Sequence, residues 1–225
     1  MITKKWALLV GLAFLLYSGV SYADPIGGSY PCTGNSCEGA MYTLSYSGSA
    51  LSDSDLLHET YRITLDIDTS TYTGGGTYLA DVAIKVSDSI DNVFLYAAPG
   101  GKSNWNLELV GLNNSGCSNG GSGFVCTYAE STYNGGKGVA ITTGNGGGTV
   151  YSFVFDITVD NGTLFTGEGD SSIKARYVDN DGRKKGALLS EDITLQTPQV
   201  PEPTTLLLLG LGMIGVAGIS RKLKK

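Results

Sequence analysis

Histidine occurs once in this chain, at His58, which leaves no second imidazole for a histidine-rich metal site or a phosphoryl-transfer centre. No glycine-rich loop leads into a helix to cradle a phosphate. Carboxylates are the remaining reactive groups. Glycoside hydrolysis needs only two of them, separated by about 5 or 9 Å. Glu108, Glu130, Glu168 and Glu191 are available, and nothing in their spacing separates a catalytic pair from solvated strand faces. Asp53 with Asp55, Asp66 with Asp68 and Asp179 with Asp181 offer oxygens of the kind calcium takes, but with Asp179 as the first position Gly182 falls at the fourth and not at the sixth of an EF-hand loop. Turn and capping roles are the default for such aspartates. The expectation is therefore no catalytic residue, no metal, no cofactor and no enzyme. Trp105, flanked by Asn104 and Asn106, is the candidate for stacking on a sugar, with Tyr128, Tyr133 and Tyr151 as further aromatics of that type; packing in the core or on a sheet face is the default for all four, and exposure of Trp105 would separate the two.

Four cysteines form two close sets, Cys32 with Cys37 and Cys117 with Cys126. Three pairings are open, of which two local loops are the simplest, and an oxidising compartment would let them form. A bridge across so short a loop contributes about 2 to 3 kcal/mol. Zinc would call for short C-x-x-C knuckles, which the chain lacks.

Both ends of the chain read as addresses. Lys4 and Lys5, an apolar run over 6–16, and small residues at Ser21 and Ala23 make a secretory signal peptide, 1–23, with cleavage after Ala23. At the other end Val200, Pro201, Glu202 and Pro203 precede an apolar stretch, 206–219, and the chain closes on Arg221, Lys222, Lys224 and Lys225. A helix over 204–220 would be somewhat shorter than the roughly 30 Å hydrocarbon core, but lysines that snorkel and a thin bilayer reduce the mismatch. Basic residues favour the cytoplasmic side, which places the residues before Val200 outside. Gly210, Gly212, Gly215 and Gly218 weaken this helix and give it small faces.

Motif, hydrophobic helix and basic terminus in this order resemble the PEP-CTERM sorting signal, over 200–225. The resemblance implies recognition by an exosortase, a membrane-embedded cysteine transpeptidase-like enzyme of Gram-negative bacteria that make exopolysaccharide. The tail would be removed near Pro201, Glu202 and Pro203, and the body passed on. Two prolines suit that role because they hold the chain extended and out of the helix.

The body expected between these signals is 24–199. Glycine is 33 of 225 residues, about twice the usual share, and long helical periodicities are missing, which favours strands joined by glycine-rich turns. Period-two alternation marks strands around 61–67, 80–86, 105–109, 151–159 and 173–177, with shorter candidates at 41–46, 93–97, 124–128, 139–143 and 187–195. Asn161 with Gly162 predicts a type I′ hairpin, and Asp179 to Gly182 a second. The expected fold is all-β: a single antiparallel β-sandwich of about ten strands, Greek-key or jelly-roll like, large enough to need no second domain.

Twenty acidic and nine basic residues lie between Asp24 and Val200, a balance of about −11, whereas the other six basic residues belong to the two membrane-directed ends. An acidic body argues against nucleic acid as a partner. The function expected is that of an exported cell-surface or extracellular-matrix protein, structural or adhesive, passing through an inner-membrane-anchored precursor. The alternative is a carbohydrate-binding module for exopolysaccharide delivered by the same route, and the third reading is a glycoside hydrolase.

Overall fold

A computed structural model describes residues 24–26, 38–46, 50–53, 57–118, 123–142, 150–166, 172–185 and 189–192. The chain divides into two units, Met1–Thr194 and Leu195–Lys225, and the second lies wholly outside the described residues.

Tyr151, Phe153, Phe155, Ile157 and Val159 alternate with more polar neighbours, and one strand, β12 (Val150–Asp160), buries all five. Its antiparallel partner β4 (His58–Asp68) follows the same period, so Ile63, Leu65 and Ile67 stand opposite Phe155, Phe153 and Tyr151 and turn to the same side. Flanking strands are β1 (Asp24–Ile26), β2 (Met41–Tyr46) and β6 (Ile90–Ala97), in the order β1-β2-β4-β12-β6, with β3 (Ser52–Asp53) paired to β4. A second antiparallel sheet has the order β14-β13-β5-β10-β7, from β5 (Tyr78–Lys85), β7 (Trp105–Glu108), β10 (Phe124–Ala129), β13 (Ser172–Val178) and β14 (Leu189–Asp192), with β11 (Val139–Ala140) also on β5. Leu44, Leu65 and Phe153 of the first sheet and Val82, Val125 and Ile173 of the second join a single apolar core. At about 1.5–3 kcal/mol for each fully buried large apolar side chain, this core is the main favourable term in folding. The protein is thus all-β with antiparallel sheets, as expected. Among the described residues the only helical turn is a 3-10 turn over Lys102–Asn104.

Each of the ten expected strands has a counterpart here, with three local corrections. Asn161 and Gly162 do make a turn, closed by Thr163 N–H donating to the Asp160 carbonyl at 3.0 Å. Only Gly162 has positive φ, however, and β12 pairs with β4 and β6, so the chain crosses to the other sheet instead of forming a type I′ hairpin. By contrast, Asp179 to Gly182 do join antiparallel β13 and β14, with the Asp179 carboxylate accepting the Asp181 and Arg183 N–H groups at 2.9 Å each. The strand expected over 139–143 contracts to Val139–Ala140. The third correction is in β5. Its pairing with β13 steps from Asp81 to Leu79, so Ala80 is an extra residue and the inward face runs Leu79, Val82, Ile84.

β5 is also buried on both sides. A two-stranded ribbon, β8 (Leu112–Asn113) with β9 (Gly116–Cys117), supplies Leu112 to a second cluster with Ala83, Phe124 and Cys126. A disulfide joins Cys117 of the ribbon to Cys126 of β10, with a Cα–Cα separation of 5.8 Å. Gly116 has φ of +118°, and a Cβ there would lie 3.4 Å from Asp81 Oδ1, tight against the buried ion pair of Asp81 with Arg176. Burial pushes the Asp81 carboxyl above the usual carboxylate range, against the opposing pull of Arg176.

Candidate functional site

The outward face of the first sheet is set by the same alternation that builds the core. Residues between the buried positions of β2, β4, β12 and β6 project to the other side, and cross-strand register sorts them into rows. One row runs Phe94, Asp156, Arg62. Arg62 donates through Nε to Asp156 Oδ1 and through Nη2 to Oδ2, both at 2.8 Å, a bidentate pair that fixes the guanidinium plane. These bonds hold Arg62 still more firmly in its charged form. The next row is Asn92, Thr158, Thr60, in which the two threonine hydroxyls lie 2.9 Å apart. A further row carries Ser152, Asp66 and Thr43, and there the Ser152 hydroxyl donates to Asp66.

Strand β6 is the edge of this sheet, and its two outward rings are open to solvent, Phe94 at 52% and Tyr96 at 50%. The pairing of β6 with β12 shifts between Leu95 and Ala97, leaving Tyr96 as the extra residue. Such a bulge re-aims a side chain. Here it accompanies a stacked contact, with Arg62 Cζ 3.6 Å from the centre of the Tyr96 ring. Across from β6 lies β7, the edge strand of the second sheet, and between them opens a cleft of about 340 Å³. Val93, Leu95, Trp105 and Leu107 line it, together with Phe94 and Lys102, whose ammonium is 4.4 Å from the Phe94 ring centre.

Trp105 is not an exposed sugar platform, which corrects the stacking candidate and leaves the default packing role. It is only 5% accessible, donates its indole N–H to the Pro99 carbonyl at 2.8 Å, and meets Phe153 edge-on at 4.9 Å. Its asparagine neighbours mark the start of a strand whose first residue turns inward. Tyr151 is buried as well, its hydroxyl bonded to Ala140 and Thr142, and Tyr133 packs edge-on against Trp105. Tyr128 donates to Glu108 at 2.8 Å. Phe94 and Tyr96 escaped the sequence reading because β6 alternates apolar with aromatic residues, so neither face announces itself as the solvent side.

The remaining polar candidates are dispersed. His58 Nε2 lies 3.6 Å from Asp160. Asp66 bonds Ser152, Asp68 accepts the Ser70 N–H at 2.8 Å, and Asp179 closes its turn with Lys185 3.2 Å away. Among the described residues no group of three or more histidine, cysteine, aspartate or glutamate side chains could hold a metal ion. Glu168, Asp55, Cys32, Cys37, Ala23, Val200, Pro201, Glu202, Pro203, Arg221, Lys222, Lys224 and Lys225 lie outside the described residues. Among those described, no helix is long and apolar enough to cross a membrane.

Residues 199–222 match the family described as the PEP-CTERM protein-sorting motif. The chain carries that sorting motif, consistent with a substrate of an exosortase. No curated protein matches the chain.

Proposed function

We propose that this protein is exported through a cleaved signal peptide, 1–23, held by its C-terminal hydrophobic segment as an inner-membrane precursor, and released by an exosortase to the cell surface or extracellular matrix. Its role there is structural or adhesive, and it is not an enzyme. The carrying observation is the sorting-motif match at 199–222, which contains Pro201, Glu202 and Pro203, the apolar stretch and Arg221. The body supports the reading. Two antiparallel sheets that share one core fit the β-sandwich reading, and a disulfide-tied ribbon suits an oxidising destination. Fractionation of cells expressing the native chain and the Pro201→Ala, Glu202→Ala variant tests the route. The native protein is expected in the surface or extracellular fraction and the variant in the inner membrane. Equal release of both would contradict sorting through the motif.

A second reading, a carbohydrate-binding module delivered by the same route, is favoured by one observation. Phe94 and Tyr96 stand exposed beside rows of hydroxyl and carboxylate groups on a rigid sheet.

A further inference from the structure

We propose that the outward face of the first sheet around Phe94 and Tyr96 binds a neutral polysaccharide; this deepens the carbohydrate-binding reading and rests on it.

A sugar ring presents an apolar C–H face and a rim of hydroxyls, so its site needs an aromatic surface with donors and acceptors at the side. Tyr96 has one ring face taken by Arg62, which leaves its exposure to the opposite face and the edges. The ring is thereby held, and a ligand that stacks on it gains contact area with little further ordering of the side chain. Phe94 is two residues along the same strand face, about 7 Å away at the usual rise per residue, close enough for one oligosaccharide to meet both rings. Beside them the row of Asp156 and Arg62 offers fixed acceptors and donors, and the row of Asn92, Thr158 and Thr60 offers an amide and two hydroxyls. Neighbouring strands are about 4.8 Å apart, so these groups come within reach of a chain lying across β6, β12 and β4.

Charge selects the ligand class. Arg62 is neutralised by Asp156, and against the one Lys102 ammonium beside Phe94 stand Asp66 and Asp68 on the same sheet face and a body that is acidic as a whole. A uronate or sulfated polymer would be repelled, whereas an uncharged glycan would not.

Affinity electrophoresis of the full-length protein in detergent tests this, with dextran, hydroxyethyl cellulose and galactomannan as neutral probes and alginate as the anionic one. At least one neutral polymer is expected to retard the native protein, and alginate none. Tyr96→Ala and Phe94→Ala should each weaken that retardation by at least tenfold, with Tyr96→Phe close to native and Leu109→Ala, an exposed apolar residue elsewhere, unchanged. Should Tyr96→Ala fail to fold, Phe94→Ser on the same strand carries the test. Retardation of the native protein that survives both ring deletions would overturn this site while leaving the carbohydrate reading standing. No retardation by any of the four polymers would overturn both, and retardation by alginate alone would overturn the proposed ligand class.

Discussion

The hydroxyls of Tyr42 and Tyr177 lie 2.7 Å apart, and the two residues belong to different sheets, Tyr42 to β2 and Tyr177 to β13. This bond spans the core and gives two buried phenols their polar partners. Tyr72 stacks on Tyr177 with ring centres 4.5 Å apart, and its own hydroxyl accepts the Gly76 N–H at 3.3 Å.

Removing one hydroxyl of this pair should cost more than removing both. Tyr42→Phe or Tyr177→Phe alone leaves a buried hydroxyl without its partner, and each is expected to lower stability by about 1–3 kcal/mol. The double variant should recover part of that loss. Urea denaturation of the four proteins checks the cycle. Strictly additive losses would mean that the bond is incidental.

Alkaline pH should destabilise the fold through the same cluster. Burial is the largest cause raising the phenols of Tyr42, Tyr72 and Tyr177 above their ordinary value near 10, and the nearby charge of Glu38 adds to it. These groups keep their protons in the folded chain at pH values where the unfolded chain has lost them. Their stabilising contribution is therefore complete below about pH 10 and is withdrawn as pH rises above it. Tyrosinate absorbance followed with β-sheet circular dichroism should show a late ionisation step that coincides with unfolding. A smooth titration of all the tyrosines near pH 10 with the sheet intact would contradict the burial argument.

The Cys117–Cys126 disulfide should stabilise the ribbon over β5 more than its short loop alone suggests. Loop closure contributes about 3 kcal/mol. Release of the ribbon also uncovers Leu112, Phe124 and the Asp81–Arg176 pair. For Cys117→Ser with Cys126→Ser, hydrogen exchange is expected to speed up first over 110–118 and the outer side of β5 and β10. Exchange that accelerates evenly across both sheets would show that the bridge constrains the whole fold and not the ribbon.

Much of the sheet arrangement was legible in the sequence because its strands obey a single period. β12 alternates over its 11 residues and β4 over 62–68, and the inward positions Ile63, Leu65 and Ile67 are all apolar. What escaped was the work of single extra residues and of contacts distant in sequence. Ala80 is one such residue, shifting the inward set of β5 from Ala80 to Leu79, and only the register against β13 reveals it. The turn at Asn161 and Gly162 was visible, but the partner of the next strand depends on which sheet has a free edge. For the site, Trp105 was chosen for its asparagine neighbours, yet the direction of its side chain is fixed by pairing with β10, where Trp105 stands opposite Ala129. Phe94 and Tyr96 lie on a strand with apolar residues on both faces, and periodicity is blind to which side meets water. The sorting motif, matched over 199–222, was legible because its information is linear: motif, apolar length and charge, with no tertiary contact required.

Intact-mass spectrometry of the protein recovered from its producing cell, with and without the exosortase, tests the central claim most directly. The expected mature species begins at Asp24 and has lost the hydrophobic stretch and Lys225 when the enzyme is present, and retains both when it is absent. A species that still ends in Lys225 in cells with an active exosortase would contradict the account.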